Sequence, residues 1–191
     1  MLVFLDLETC GLDVEGDDIL EVACIVTDDR LATEVARYHA VVRTDREFYE
    51  LPEVVRDMHT KSGLWAEVKD DKIAQPIRQV DEALASFLRE HAVKIERDNG
   101  RANLVRPQLA GNGIHFDRGF MRRCLRRAEA ELHHRQLDVT SINELMRRFC
   151  PAVYEARPRP TESAHRAMDD VLESLAVARH YGSIMMELGP R

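Results

Sequence analysis

The chain has 191 residues, 45% apolar and 32% charged, which suits one medium domain with a real core. Its net charge of −7 argues against a protein that coats long duplex nucleic acid, since that takes many Lys and Arg contacts to phosphate. It fits a small site of carboxylates and cations, or a short substrate.

The first elements read as strands. Val3 to Leu7 is a short apolar run ending in acids, and Gly11 turns the chain. Ile19 to Thr27 and Ala36 to Arg43 follow, separated by the turn-like TDDRLATE, and the three suggest an antiparallel meander. PEVVRDMHTKSGL then predicts a short helix closed by Gly63. From Pro76 to about Ile95 the helical spacing of Val80, Ala83, Leu84, Phe87 and Leu88 predicts a longer helix. Asn103 to Ala110 reads as one strand leading into GNGIHFD, and Phe120 to Leu132 as one arginine-rich helix. Gln136 to Val139 is a short strand, and Ser141 to Phe149 a helix. EARPRPTES is a loop, and a last helix runs from about Ala164 to Tyr181. Strands first, then mixed helix and strand, with no internal repeat, predict one α/β domain over residues 1–191.

No apolar run approaches a membrane span, and MLVFLDLET has no basic segment ahead of Asp6, so a cytoplasmic chain that avoids membranes is expected. Cys10, Cys24, Cys124 and Cys150 show no CxxC spacing, which predicts reduced thiols and no zinc site.

Three features carry chemistry. Asp6 and Glu8, two apart on a strand, share a face, where burial and mutual repulsion call for a cation or a proton. Mg²⁺ or Mn²⁺ suits all-oxygen ligands; the alternative is a strand end emerging into solvent. Asp117 closes GNGIHFD at a helix start, where an acid is favoured, and a plain helix cap is its alternative. HRAMDD (165–170) places His165 ahead of two acids near another helix start. At 100° per residue, Arg166, Asp169, Glu173 and His180 share a solvated side, while Asp170 falls beside Ala167, Ser174, Val177 and Tyr181. That favours Asp170 over Asp169 as the inward acid.

Together, Asp6-Leu7-Glu8, Asp117 and His165-x4-Asp170 resemble the DEDDh exonucleases of the RNase H-like fold in residue type, order and spacing. FLDLETCGLD, MHTKSGL (58–64), GNGIHFDRGF, HHRQLDVTSINEL (133–145) and HRAMDDVLES narrow the resemblance to the oligoribonuclease subfamily, across nearly the whole chain. It implies a mixed sheet flanked by helices and a 3′→5′ exoribonuclease acting on short single-stranded RNA, with a homodimer as the assembly. A DEDDh exonuclease for longer single-stranded DNA or RNA is the alternative. It also implies two divalent ions roughly 3.5–4 Å apart on the scissile phosphate. Asp6 would bridge them, Glu8 and Asp170 hold the first and Asp117 support the second. His165 would take the proton of the attacking water, as an imidazole can near neutrality.

By the same resemblance Leu12 would wedge against a base and His59 would face substrate from the MHTKSGL loop. Arg135 and Thr140 would clasp the terminal phosphate of a dinucleotide, in part across a dimer interface. Asp138, in the LDV segment, is read as structural. Val54, Gly113 and His134 depart from the subfamily's tryptophan, serine and tyrosine, which puts strict dinucleotide preference in doubt. Arg118, Arg122, Arg123, Arg126 and Arg127 are read as a solvated helix face.

Overall fold

The computed structural model describes residues 1–96, 102–159 and 165–188; residues 160–163 of the predicted EARPRPTES loop, and Ala164, lie outside them. Strands β1 (Leu2–Thr9), β2 (Ile19–Thr27) and β3 (Glu34–Val41) form the antiparallel meander. Strands β6 (Gln108–Gly111) and β7 (Gln136–Asp138) add to β1 in parallel, giving one five-stranded sheet of order β3-β2-β1-β6-β7. Gly111 is needed where β6 meets β1, because a Cβ there would sit 2.7 Å from the Leu5 carbonyl oxygen.

The two faces of β1 divide the core. Val3, Leu5 and Leu7 pack with α3 (Ile77–Glu90) through Val80, Leu84 and Leu88, and with α4 (His115–Cys124) through Phe120 and Met121. On the other face Phe4, Ala23, Ile25 and Ala110 pack with the long helix α8 (Ala167–Leu188) through Val171, Leu175, Ala178 and Tyr181. Because side chains alternate along a strand, Asp6 and Glu8 share the face of Phe4, towards α8. A third cluster packs Cys10, Leu20 and Val41 against α1 (Glu53–Lys61) and α2 (Leu64–Val68). Gly63, at φ +74, closes α1 in the left-handed conformation glycine tolerates.

Several predicted elements are cut differently. The helix begun at Pro76 stops at Glu90, and Ile95 belongs to β4 (Val93–Glu96), which among the described residues pairs only with β5 (Ala102–Val105). The predicted strand Asn103–Ala110 is two strands, because Pro107 has no N–H to donate to a ladder. The predicted helix Phe120–Leu132 is also two, α4 and α5 (Arg126–Ala130), with Leu125 at φ −123 between them. No proline or glycine breaks it. Buried Asp81 of α3 instead accepts from the N–H groups of Arg127 and Ala128, capping α5 from another helix. Helix α6 (Val139–Phe149) is capped by Asp138, whose carboxylate takes the Thr140 N–H at 3.0 Å, the structural role expected of it. A short helix α7 (Pro151–Glu155) follows, and α8 continues past Tyr181 through Gly182 to Leu188.

Arg118 and Arg123 are not on a solvated face. Arg118 is buried, bonded to Glu129 and to the carbonyls of His133 and His134, and Arg123 donates to the Asp17 carbonyl. Arg122, Arg126 and Arg127 are exposed as expected. Among the described residues, no helix is long and apolar enough to cross a membrane.

Candidate active site

The carboxyl ends of the parallel strands β1 and β6 lie at the same edge of the sheet, where open α/β sheets place their ligands. β1 delivers Asp6 and Glu8 there, and α8 lays Asp170 over them. Carboxylate oxygens of the three all lie within 4.8 Å of one another. Asp169 is exposed, while Ala167, Ser174, Val177 and Tyr181 are buried, so the wheel placed the two aspartates correctly. It misplaced Arg166, which turns inward.

Asp117 stands on the first turn of α4, inside the helix rather than at its cap, and is 5% exposed. Its Oδ1 accepts the Leu7 N–H at 3.0 Å, tying α4 to β1 between the two acids of the strand. The cap alternative therefore falls.

Electrostatics explain why such a cluster asks for cations. Burial, then the charges of Asp117, Asp170 and Glu8, push Asp6 well above the usual carboxylate range. Burial, then Asp170 and Glu21, push Glu8 to about 8 against the pull of Arg166. Burial raises Asp117 to about 7 although backbone N–H groups favour its charge. Burial and Glu173 raise Asp170 to about 6, with His165 opposing. These acids cannot all be charged at neutral pH unaided, and oxygen-only donors at this spacing fit a hard divalent cation.

His165 is exposed, with φ +47, and couples electrostatically to Asp170. Arg166 follows it and bridges two acids the sequence reading missed. Its guanidinium contacts buried Glu21 of β2 at 2.8–3.2 Å and Glu67 of α2 at 2.7 and 3.1 Å. Glu21 also takes the Ala167 N–H at 2.9 Å and lies 2.6 Å from His39 Nε2. Burial works against the Glu21 charge, yet His39, Arg166 and the Ala167 N–H bring it down to about 2. The signal was present: Glu21 is the lone acid in the apolar run ILEVACIVT and sits across from Glu8.

Leu12 is 81% exposed and stands outside the core. Its loop is fixed by the bonds of Thr9 Oγ1 to the Gly11 carbonyl and of the Asp13 N–H to Asp17. His59 differs from expectation. It has no exposed surface, and its Nε2 lies 3.0 Å from the Thr9 carbonyl, so it backs the wall at the end of β1 instead of facing substrate. Arg135 and Thr140 are both exposed; Thr140 Oγ1 accepts the Gly113 N–H at 2.9 Å. A Cβ at Gly113 would meet open space, and Val54 is 78% exposed.

Residues 3–178 match the profile of the family described as Exonuclease. Among solved structures, exonuclease I from Methylocaldum szegediense aligns with a TM-score of 0.66 at 20% identity, over 98% of this chain and 41% of that one. The zinc-bound E. coli ExoI–ssDNA complex aligns with a TM-score of 0.69 at 16% identity, over 98% and 41%. At such identity these establish the RNase H-like fold, and the chain spans about two fifths of their length. The oligoribonuclease of Streptomyces coelicolor is 36% identical over 181 residues, 94% of this chain and 84% of that protein. That of Xanthomonas campestris pv. campestris is 36% identical over 195 residues, 98% and 90%. The chain belongs to the exonuclease family, in its oligoribonuclease branch.

Proposed function

We propose that this chain is a 3′→5′ exoribonuclease that hydrolyses short single-stranded oligoribonucleotides to mononucleotides. The observation that carries it is the convergence of Asp6, Glu8 and Asp170 within 4.8 Å at the strand ends. Relatives named oligoribonuclease, matching over nearly the full chain, support the substrate class. We read residues 1–191 as one domain, cytoplasmic and homodimeric.

Asp6, Glu8 and Asp170 would hold divalent ions, Mg²⁺ or Mn²⁺, with Asp117 supporting a second. Ions bound there supply Lewis-acid activation of water and stabilise the leaving 3′-oxygen. The protein's own part is positional and acid–base. α8 and β1 hold the acids on one face, and Leu12 offers an exposed apolar edge to a base. His165, at the solvent rim, takes the proton of the attacking water. His165→Ala is therefore expected to bind Mn²⁺ as wild type does and to lose turnover. Calorimetry showing metal affinity lost with it would make His165 a ligand instead.

Substrate length is tested by turnover of 5′-labelled RNAs of two to about twenty nucleotides, a range that spans known single-strand site sizes. RNAs of about two to five nucleotides should be cut, with a weaker dinucleotide preference than a site closed by larger residues, since Val54, Gly113 and His134 stand where the subfamily has tryptophan, serine and tyrosine. Arg135→Ala should harm 5′-phosphorylated dinucleotides far more than unphosphorylated ones, because an arginine fork reads phosphate bidentately. Equal losses on both would remove Arg135 from the 5′ end. Rapid digestion of a 20-mer with poor dinucleotide turnover would favour the second reading, an exonuclease for longer single strands.

A further inference from the structure

His165 and Asp170 lie on opposite sides of Arg166, and the structure holds them by different means. Asp170 stands on α8, whose Ala167, Val171 and Ser174 are buried against the sheet. Its N–H also donates to the Arg166 carbonyl at 3.2 Å. His165 precedes the helix, is exposed, and has φ +47, a conformation that side chains other than glycine keep only when their surroundings hold it. Its downstream neighbour, Arg166, is the anchor. The guanidinium bridges Glu21 on β2 and Glu67 on α2, and the next N–H, of Ala167, is taken by the same Glu21 carboxylate. An arginine fork gripping two carboxylates fixes its plane and, through its stem, the backbone beside it.

We propose that Arg166, gripped by Glu21 and Glu67, is a positioning residue that fixes the backbone at His165 and so sets its imidazole beside the acid cluster. The inference rests on the reading of His165 as the general base. Glu67 is the informative arm. It is contributed by α2, 99 residues from Arg166, with its side chain 32% exposed, whereas Glu21 is 1% exposed and also caps α8. Glu67→Ala thus loosens the grip and leaves α8 docked through Glu21.

The experiment is a double-mutant cycle on the full chain with a short RNA and Mn²⁺. Glu67→Ala should lower kcat about 10-fold, on the scale at which small misplacements slow a reaction. KM and Mn²⁺ affinity should stay within about 2-fold, and Glu67→Gln should recover part of the loss. In a His165→Ala background Glu67→Ala should cost nothing further, because residues acting as one unit are not additive. NMR of the ¹³C-labelled imidazoles, with His165 assigned from the His165→Ala spectrum, gives a readout independent of turnover. The His165 resonance should shift and broaden in Glu67→Ala. An unchanged resonance, or losses that add fully, overturns the proposal. If His165→Ala keeps full kcat while the resonance moves, the base reading falls and the anchoring role stands.

Discussion

Asp170→Asn is expected to lose at least about 10²-fold in kcat, while Asp169→Asn stays near wild type, as for removal of a charge at the reacting centre against removal of a solvated one. The two residues are neighbours, and a helix turns 100° between them. Asp170 offers an oxygen within 4.8 Å of those of Asp6 and Glu8, whereas Asp169 is exposed. Asparagine keeps the shape and removes a charge from a crowded cluster, so the metal-free variant should fold at least as well as wild type. A dead but stable Asp170→Asn assigns the loss to chemistry. Metal affinity should fall in parallel, because a ligand is gone. A dead Asp169→Asn beside an active Asp170→Asn would overturn the site.

The parts of this site that were legible in the sequence obey local periodicity. Asp6 and Glu8 share a face because a strand repeats every two residues, and Asp170 turns inward because the apolar stripe of its helix does. The first three strands were legible for the same reason. What was not legible depends on partners remote in sequence. The break at Leu125 comes from Asp81, which caps α5 from a different helix. Arg118 looks like one more surface arginine until Glu129 and the carbonyls of His133 and His134 surround it.

Arg166 gives the clearest case. Its helical phase placed it beside Asp169 on the wet side, yet it lies ahead of the first helical turn, where the helix period no longer applies. Its direction is set by two acids 145 and 99 residues away. Removing one side of such a pair strands a charge, and for one as buried as Glu21 the cost is typically about 3–5 kcal/mol. His59 was misjudged for a related reason. The MHTKSGL segment marks the end of α1, but the side a histidine presents there depends on where the end of β1 lies.

Chelation should abolish turnover altogether, and Mg²⁺ or Mn²⁺ should restore it. Full activity in EDTA would sink the metal-dependent mechanism. The same acids make a second, non-catalytic signature. Glu8 at about 8, Asp117 at about 7 and Asp170 at about 6 all lie above the values near 4 that carboxyls take in an unfolded chain. Between those limits the folded metal-free protein binds more protons than the unfolded chain. The contribution of these acids to its stability therefore falls as pH rises from about 4 towards 8, opposite to the usual paired carboxylate. Divalent cations bind the charged form and reverse this, so the gain in Tm on adding Mn²⁺ should be larger at pH 8 than at pH 5. Asp6→Asn, which removes the most crowded of these charges, should flatten the decline in the metal-free protein and shrink the Mn²⁺ gain. A metal-free Tm that climbs steadily across this window, with no difference in the Mn²⁺ effect, would mean that the carboxylates are already compensated by the protein itself.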